Sequence, residues 1–276
     1  MLQERLTPLA NRILNDAVFD ETVIRLCSQI SMVFKQEPRL VRAIGDFGAF
    51  ATILCAICLA SIHGGQFTLA AVQAIVVPRG WASSRRTRAL IDWLELEGAA
   101  RRHQPRGDNR ERPWSLCGWL ITAIETLAEA YLAAAAPWEA QPVLGRPAKD
   151  DIGVNPLVDG VGWLLKQQQA LAPISMETLM FLGHAPGFPL LLDLLSAAKT
   201  SRSDALDCEF SRKAAARAYG ISRAHVTALL AKAERLSILD RSGSRISLSD
   251  RTLQSVQGDI AHQLAFVVVW LGILRD

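Results

Sequence analysis

Apolar residues recur at helical spacing in the C-terminal third of the chain and are followed by alternating polar and apolar positions. Four apolar residues share one face of a predicted helix: Val226, Leu229, Leu230 and Ala233. Ser222 can cap this helix, Ser211 can cap a shorter helix before it, and Gly220 suits the sharp turn between them. Residues 237–248 predict a β-hairpin around a glycine-containing turn at 240–244.

A segment earlier in the chain carries the same order of elements. Residues 68–77 are apolar enough for the first helix, Ser83 can cap the second helix, and Gly98 can end it. Three apolar residues mark the buried face of the second helix: Leu90, Ile91 and Leu94. Residues 99–102 and 114–116 predict a hairpin with a longer polar loop.

The two segments align at one constant offset, about half the length of the chain. The aligned pairs are Ser83 with Ser222, Ala89 with Ala228, Leu90 with Leu229, Ile91 with Leu230 and Glu95 with Glu234. We interpret the chain of 276 residues as an internal duplication. The expected domains are residues 1–138 and 139–276, with a linker at about 137–156 that is rich in proline, glycine and charge. The predicted fold class is mainly α with small β hairpins.

Positive charge is concentrated in the same two segments. The net charge of the chain is only +3, but residues 79–112 hold nine arginines against five acidic residues. Residues 199–245 hold ten lysines and arginines against five acidic residues. Two basic surfaces on an otherwise acidic body indicate binding to phosphates, with two solvated arginine-rich faces as the alternative.

The order of helix, turn, helix and hairpin is typical of a winged helix-turn-helix. In the first segment the hairpin loop is rich in arginine and contains Asp108-Asn109-Arg110. Together with the preceding helix, this loop resembles that of the MarR-type winged-helix transcriptional regulators. The resemblance implies duplex DNA as the partner, with Asp108 orienting Arg110 toward it. It further implies two tandem winged helix-turn-helix domains joined by flanking helices.

The residues expected to contact DNA lie on the second helix of each pair, on the wings and at the start of one first helix. They are Ser83, Ser84, Arg85, Arg86, Arg88, Arg106, Asp108, Arg110, Arg112, Arg212, Ser222, Arg223, Thr227, Arg241 and Arg245. Arginine can reach guanine or phosphate, and small residues such as Ala224 and Ala228 allow close approach to bases. His225 lies beside the buried face and is expected to pack rather than to contact a base.

The two segments differ at their turns and wings. In the first segment Gly80 comes one position early, and Pro78 breaks the first helix. The second wing has no Asp-x-Arg, so the two surfaces are not expected to be equivalent. After each wing follows a heptad-like helix, and the MarR resemblance implies that such helices join two units. With two units in one chain we expect a monomeric pseudo-dimer, and the alternative is a homodimer.

Enzymatic and membrane functions find little support in the sequence. No P-loop, Gly-x-Ser-x-Gly, His-Glu-x-x-His or dinucleotide fingerprint occurs, so we expect neither an enzyme nor a cofactor. Cys55, Cys58 and His63 suggest a metal or thiol sensor, but buried cysteines are the favoured reading and no metal is expected. The longest uncharged stretch, residues 47–62, is shorter than a membrane span. Five unpaired cysteines indicate a reducing cytoplasm.

Two alternatives to a simple DNA-binding regulator remain. A winged-helix pair can serve as a protein-interaction or scaffold module without sequence-specific DNA binding, although such modules tend to be acidic. A small-molecule effector that changes the spacing of the two units is a further expectation, motivated by the family resemblance. Four tryptophans near the flanking helices are candidates for an effector pocket, with core packing favoured: Trp119, Trp138, Trp163 and Trp270.

Overall fold

The structure is a computed structural model that describes residues 2–104, 112–139, 174–200 and 207–273. It is mainly helical with two small antiparallel sheets, which confirms the mainly α fold class. Within the described residues the helices are α1 (Leu2–Leu14), α2 (Phe19–Gln36), α3 (Arg39–Ile44), α4 (Phe47–Ile62), α5 (Leu69–Val76), α6 (Ser84–Leu96), α7 (Trp119–Ala135), α8 (Met176–Leu182), α9 (Gly187–Thr200), α10 (Arg212–Ala218), α11 (Arg223–Arg235) and α12 (Asp250–Ile273). The strands are β1 (Ala100–Arg102), β2 (Trp114–Leu116), β3 (Asp207–Glu209), β4 (Leu239–Ser242) and β5 (Arg245–Leu248).

The first sheet follows α6 as the alternation of its residues predicts. Strand β1 pairs with β2 in antiparallel register, with Ala100 opposite Leu116. An isolated bridge adds Phe67, which exchanges two backbone hydrogen bonds with Trp114 at 2.7 and 2.8 Å. The bridge ties the residue before α5 to the hairpin after α6, so the helix pair and its hairpin pack as one unit.

The second sheet has three strands in the order β3, β5, β4. The hairpin of β4 and β5 was predicted, but β4 continues to Ser242 and the turn is at Gly243 and Ser244, so the predicted turn at 240–244 began too early. Strand β3 was not predicted, and it pairs Cys208 with Ile246. Along the chain, α9, β3, α10, α11, β4 and β5 repeat the order of α4, Phe67, α5, α6, β1 and β2.

Helices from the two halves of the sequence pack against each other. Helix α1 packs on α12, and α2 packs on α9 and α7. The boundary between residues 138 and 139 stays a prediction, because most of the expected linker lies outside the described residues. Of that linker the structure describes residues 137–139, which include the end of a short 3-10 helix, Ala136–Trp138, that directly follows α7.

A polar cluster around Asp193, here called the Asp193 cluster, joins α2 to the end of α10 where the two halves pack. The Tyr219 hydroxyl donates to Asp193 Oδ2 at 2.6 Å and lies 3.2 Å from Ser31 Oγ. Ser31 also donates to Asp193, and Lys35 Nζ lies 2.7 Å from Asp193 Oδ1. Tyr219 and Ser31 are each 1% exposed. Burial and the negative charge of Asp193 raise the pKa of Tyr219, so its hydroxyl stays a hydrogen-bond donor.

The predicted flanking helices, α7 and α12, contact each other within the chain. Tyr131 Oη donates to Gln263 Oε1 at 2.7 Å where they meet.

Among the described residues one segment, Trp119–Trp138, is long and apolar enough to cross a membrane by length and composition alone. It carries two exposed carboxylates, Glu125 and Glu129, and its helix packs on α2 and α12.

Candidate nucleic-acid interface

Each predicted helix pair forms, and each second helix begins at the predicted cap. The Ser83 hydroxyl accepts from Arg86 N at 3.2 Å, and the Ser222 hydroxyl accepts from His225 N at 3.1 Å. Ser211 caps α10 by accepting from Ala214 N at 3.2 Å. These bonds satisfy backbone donors that have no partner inside the helix, which fixes where each helix starts.

The two turns share one backbone conformation despite their different sequences. Gly80 has φ +66° and Gly220 has φ +63°, the left-handed region that favours glycine. Trp81 N donates to Val76 O at 3.1 Å, as Ile221 N donates to Ala216 O at 3.0 Å. The first turn has one residue more between its glycine and the capping serine. This extra residue accounts for the early position of Gly80 in the alignment.

The ends of α6 and α11 also match, at the same offset that aligns the two sequences. Ala99 N donates to Leu94 O at 2.8 Å, and Ile238 N donates to Ala233 O at 3.0 Å. Gly98, which follows α6, has φ +69°. Ser237 aligns with Gly98 and has φ +54°. Among the described residues it is the one residue other than glycine that has a positive φ.

An ion pair between strand and helix occurs in both units. Arg102 Nη2 lies 3.2 Å from Glu95 Oε2 and 3.3 Å from Asp92 Oδ1. Arg241 Nε lies 2.9 Å from Glu234 Oε2, and this second pair aligns with the pair of Arg102 and Glu95. Arg241, a predicted DNA contact, is therefore held against α11 by a carboxylate. A glutamate seven residues before each arginine is the sequence signal for this pair.

On α6 the predicted residues occupy one exposed face. Ser83, Ser84, Arg85, Arg86 and Arg88 are exposed, whereas Leu90, Ile91 and Leu94 are buried as predicted. The Arg86 guanidinium forms an ion pair with Asp46, which also caps α4. No carboxylate of the described chain forms an ion pair with Arg85 or Arg88, so these two arginines are the available cations of this face.

On α11 the exposed face carries less charge. Ser222 and Arg223 are exposed, and the half-buried Thr227 donates its hydroxyl to Arg223 O at 2.9 Å. Two more predicted contacts, Arg212 and Arg245, are also exposed. His225 is exposed, so the expectation that it packs is wrong: it is one residue before the buried Val226, and a helix turns by about 100° per residue.

The first wing is described only at its base. Arg112 is exposed beside β2. Arg106, Asp108 and Arg110 lie outside the described residues, so the roles that the MarR resemblance implies for Asp108 and Arg110 stay predictions.

Several basic residues near the second helix pair were not predicted as contacts. Lys213 and Arg217 are exposed on α10, and Lys232 Nζ lies 2.7 Å from His184 Nε2. Burial lowers the pKa of His184, the positive charges of Lys232 and His225 lower it further, and Asp46 acts in the opposite direction. The predicted contacts on α10 stopped at Arg212, at its start, and Lys232 was missed because it faces a residue of another segment, His184.

Two of the three residues considered for metal binding are buried, and the third, His63, is exposed. Cys55 and Cys58 are buried in α4, and burial raises the pKa of Cys55 to about 11, so its thiol is protonated near neutral pH. Across the described ranges no group of three His, Cys, Asp or Glu side chains is placed to hold a metal. Trp138 is buried and donates to Asp16, and Trp270 is buried, whereas Trp163 lies outside the described residues. Trp119 is half-buried beside Trp93 and donates to Glu97 O at 3.1 Å.

Comparison with family models, with curated proteins and with solved structures finds no match to this chain.

Proposed function

We propose that this protein is a cytoplasmic DNA-binding transcriptional regulator built from two tandem winged helix-turn-helix units. One observation carries the proposal: α6 and α11 each bury one face and expose serine and arginine at their N-terminal turns. Arg85, Arg88 and Arg223 are exposed there, and in the described chain none of them has an ion-pair partner. Such a helix can enter the major groove while its cations meet bases and phosphates.

The matching backbone bonds support a duplication of one unit. The turn, the helix end and the ion pair between strand and helix recur at corresponding positions of the two units. The contact between α7 and α12 supports a pseudo-dimer within one chain. In this arrangement the two recognition helices bind successive major grooves, and the wings bind phosphates.

The surfaces of the two units are proposed to differ in their affinity for duplex DNA. On α6 two unpaired arginines, Arg85 and Arg88, lie on the exposed face, while Arg86 is restrained by Asp46. On α11 the equivalent positions hold smaller or less basic residues, and Arg223 is the principal cation. We expect the α6 surface to contribute more to the affinity for duplex DNA.

The test is a fluorescence-anisotropy titration of random-sequence duplex at salt concentrations between about 50 and 200 mM. Wild-type protein is expected to bind with an affinity that falls steeply with salt. The variant Arg85→Ala/Arg88→Ala is expected to raise the Kd by about tenfold or more, and Arg223→Ala by a smaller factor, because each removes phosphate or base contacts.

The matched control is Arg5→Ala/Arg25→Ala, which removes two exposed arginines from α1 and α2. It loses the same net charge and is expected to keep the wild-type Kd within about twofold. If both double variants weaken binding equally, the effect is one of net charge and the interface on α6 is wrong. If wild-type protein does not bind duplex DNA at low salt, the scaffold alternative replaces this proposal.

A further inference from the structure

A groove of about 610 Å³ separates the C-terminal end of α2 from α10. One wall is Lys35 and Pro38 from the first half of the chain. The other wall carries Ser211, Lys213 and Arg217 from the second half. The groove is therefore formed only when the two halves pack together.

The groove is basic, and its floor leaves room for a ligand. Lys213 and Arg217 are four residues apart and lie on the same exposed side of α10. Ala214 and Ala218 line the groove beside them with small side chains. None of the described residues that line it is acidic. Three neighbouring cations repel one another, and a bound anion relieves that repulsion.

Lys35 is held in place by an ion pair with Asp193. Its Nζ lies 2.7 Å from Asp193 Oδ1, and Asp193 also accepts from Tyr219 and Ser31. The Asp193 charge offsets part of the Lys35 charge, but the ammonium has three donors and the side chain is 34% exposed. Lys35 is thus an oriented cation at the groove edge that can donate to a second acceptor.

We infer that this groove binds phosphate groups through Lys213, Arg217 and Lys35. Arginine binds phosphate with two parallel hydrogen bonds, and lysine binds it as a point charge. The volume exceeds that of one phosphate and leaves room for more than one. The phosphates can belong to a duplex backbone or to a free polyphosphate, such as the triphosphate of a nucleotide.

The two sources have different relations to the proposed function. A duplex backbone in the groove rests on that function and extends the DNA contact from α11 to α10 and to α2 of the first half. A free polyphosphate does not rest on it, because the chain can bind that ligand without binding DNA. Separate titrations with each ligand therefore distinguish failure of the groove from failure of the DNA-binding proposal.

The experiment compares wild-type protein with Lys213→Gln/Arg217→Gln and with the matched control Arg5→Gln/Arg25→Gln. All four substituted residues are exposed, and circular dichroism checks that each variant is folded. Inorganic tripolyphosphate is titrated by calorimetry, and random duplex by anisotropy at several salt concentrations. A third variant, Lys35→Met, tests the contribution from the first half.

Loss of tripolyphosphate affinity by about tenfold in the groove variant, but not in the control, supports a free-phosphate site whether or not duplex binds. A salt slope for duplex that falls by about 2 in the groove variant alone supports backbone phosphates as the occupant. A weaker change of the same kind is expected for Lys35→Met. If the groove variant and the control behave alike with both ligands, the groove site is overturned.

Discussion

His184 is the residue at which a single proton has the clearest expected effect. Its Nε2 accepts from Lys232 Nζ at 2.7 Å, which requires a neutral imidazole. Burial lowers its pKa, as do the charges on Lys232 and on His225, and Asp46 opposes them. The ring is contributed by the segment before α9, and Lys232 by α11, so the bond holds the candidate recognition helix to the core.

Protonation of His184 is expected to destabilise the folded protein. Because its native pKa is below the unfolded value of 6.5, the unfolded chain binds the proton more readily as the pH falls through this window. The contribution to stability is complete above pH 6.5 and is lost toward lower pH. Urea unfolding at about pH 7.5 and about pH 5.5 measures this loss, which is expected to be smaller in His184→Gln. Equal losses in both proteins would contradict the assignment.

At the scale of the element, local patterns predicted most of the helix pairs and hairpins. Helix caps and buried helix faces depend on residues within a few positions of each other, so they can be predicted from the sequence. Examples are the caps Ser83 and Ser222 and the buried faces of α6 and α11. Strand β3 was missed because its partner β5 is far along the chain, and its three residues are too short a run for their polar-apolar-polar alternation to indicate a strand. Arg241 was assigned to DNA because a spacing of seven residues from Glu234 becomes a contact only when strand β4 folds back onto α11.

The paired helix ends give a test of backbone strain that uses both units. Gly98 and Ser237 hold the same left-handed conformation, and a side chain costs about 1 kcal/mol or more there. A Cβ at Gly98 meets no atom within 4 Å, so backbone strain is the main cost of substitution. Ser237→Gly is expected to raise the free energy of unfolding by up to about 1 kcal/mol, and Gly98→Ser to lower it by a similar amount.

Chemical denaturation of the two variants and of wild-type protein measures both changes. The matched control is Ser242→Gly in β4, where the conformation is extended and added freedom is expected to destabilise. Stabilisation by Ser242→Gly, or destabilisation by Ser237→Gly, would argue against strain at the end of α11.

At the scale of the whole molecule, the sequence predicted which helix faces are buried but not which helix covers them. The heptad-like faces of α7 and α12 were expected to pack, and they contact each other. The packing of α1 on α12 and of α2 on α9 was not predicted, because an apolar face does not indicate which helix covers it. The Asp193 cluster was equally invisible, since Ser31 and Asp193 are 162 residues apart.

The Asp193 cluster predicts that the two halves unfold together. Tyr219 lies in the second half, as does Trp270, whereas five of the six described tryptophans lie in the first and dominate the emission: Trp81, Trp93, Trp114, Trp119 and Trp138. Tyr219→Phe removes a buried hydroxyl and leaves Asp193 with one donor fewer, which costs about 1–3 kcal/mol. For a chain of this length each kcal/mol lowers Tm by about 2–4 °C. We expect tryptophan emission and far-ultraviolet circular dichroism to report the same lowered Tm, because the end of α10 loses its hydrogen bonds to Asp193 of α9 and Ser31 of α2. The control Tyr131→Phe removes one bond, to Gln263, that joins two helices, and it is expected to shift Tm less because Tyr219 joins three elements. A tryptophan transition that stays at the wild-type Tm in Tyr219→Phe would mean that the halves unfold separately, and that their helices pack without cooperative coupling.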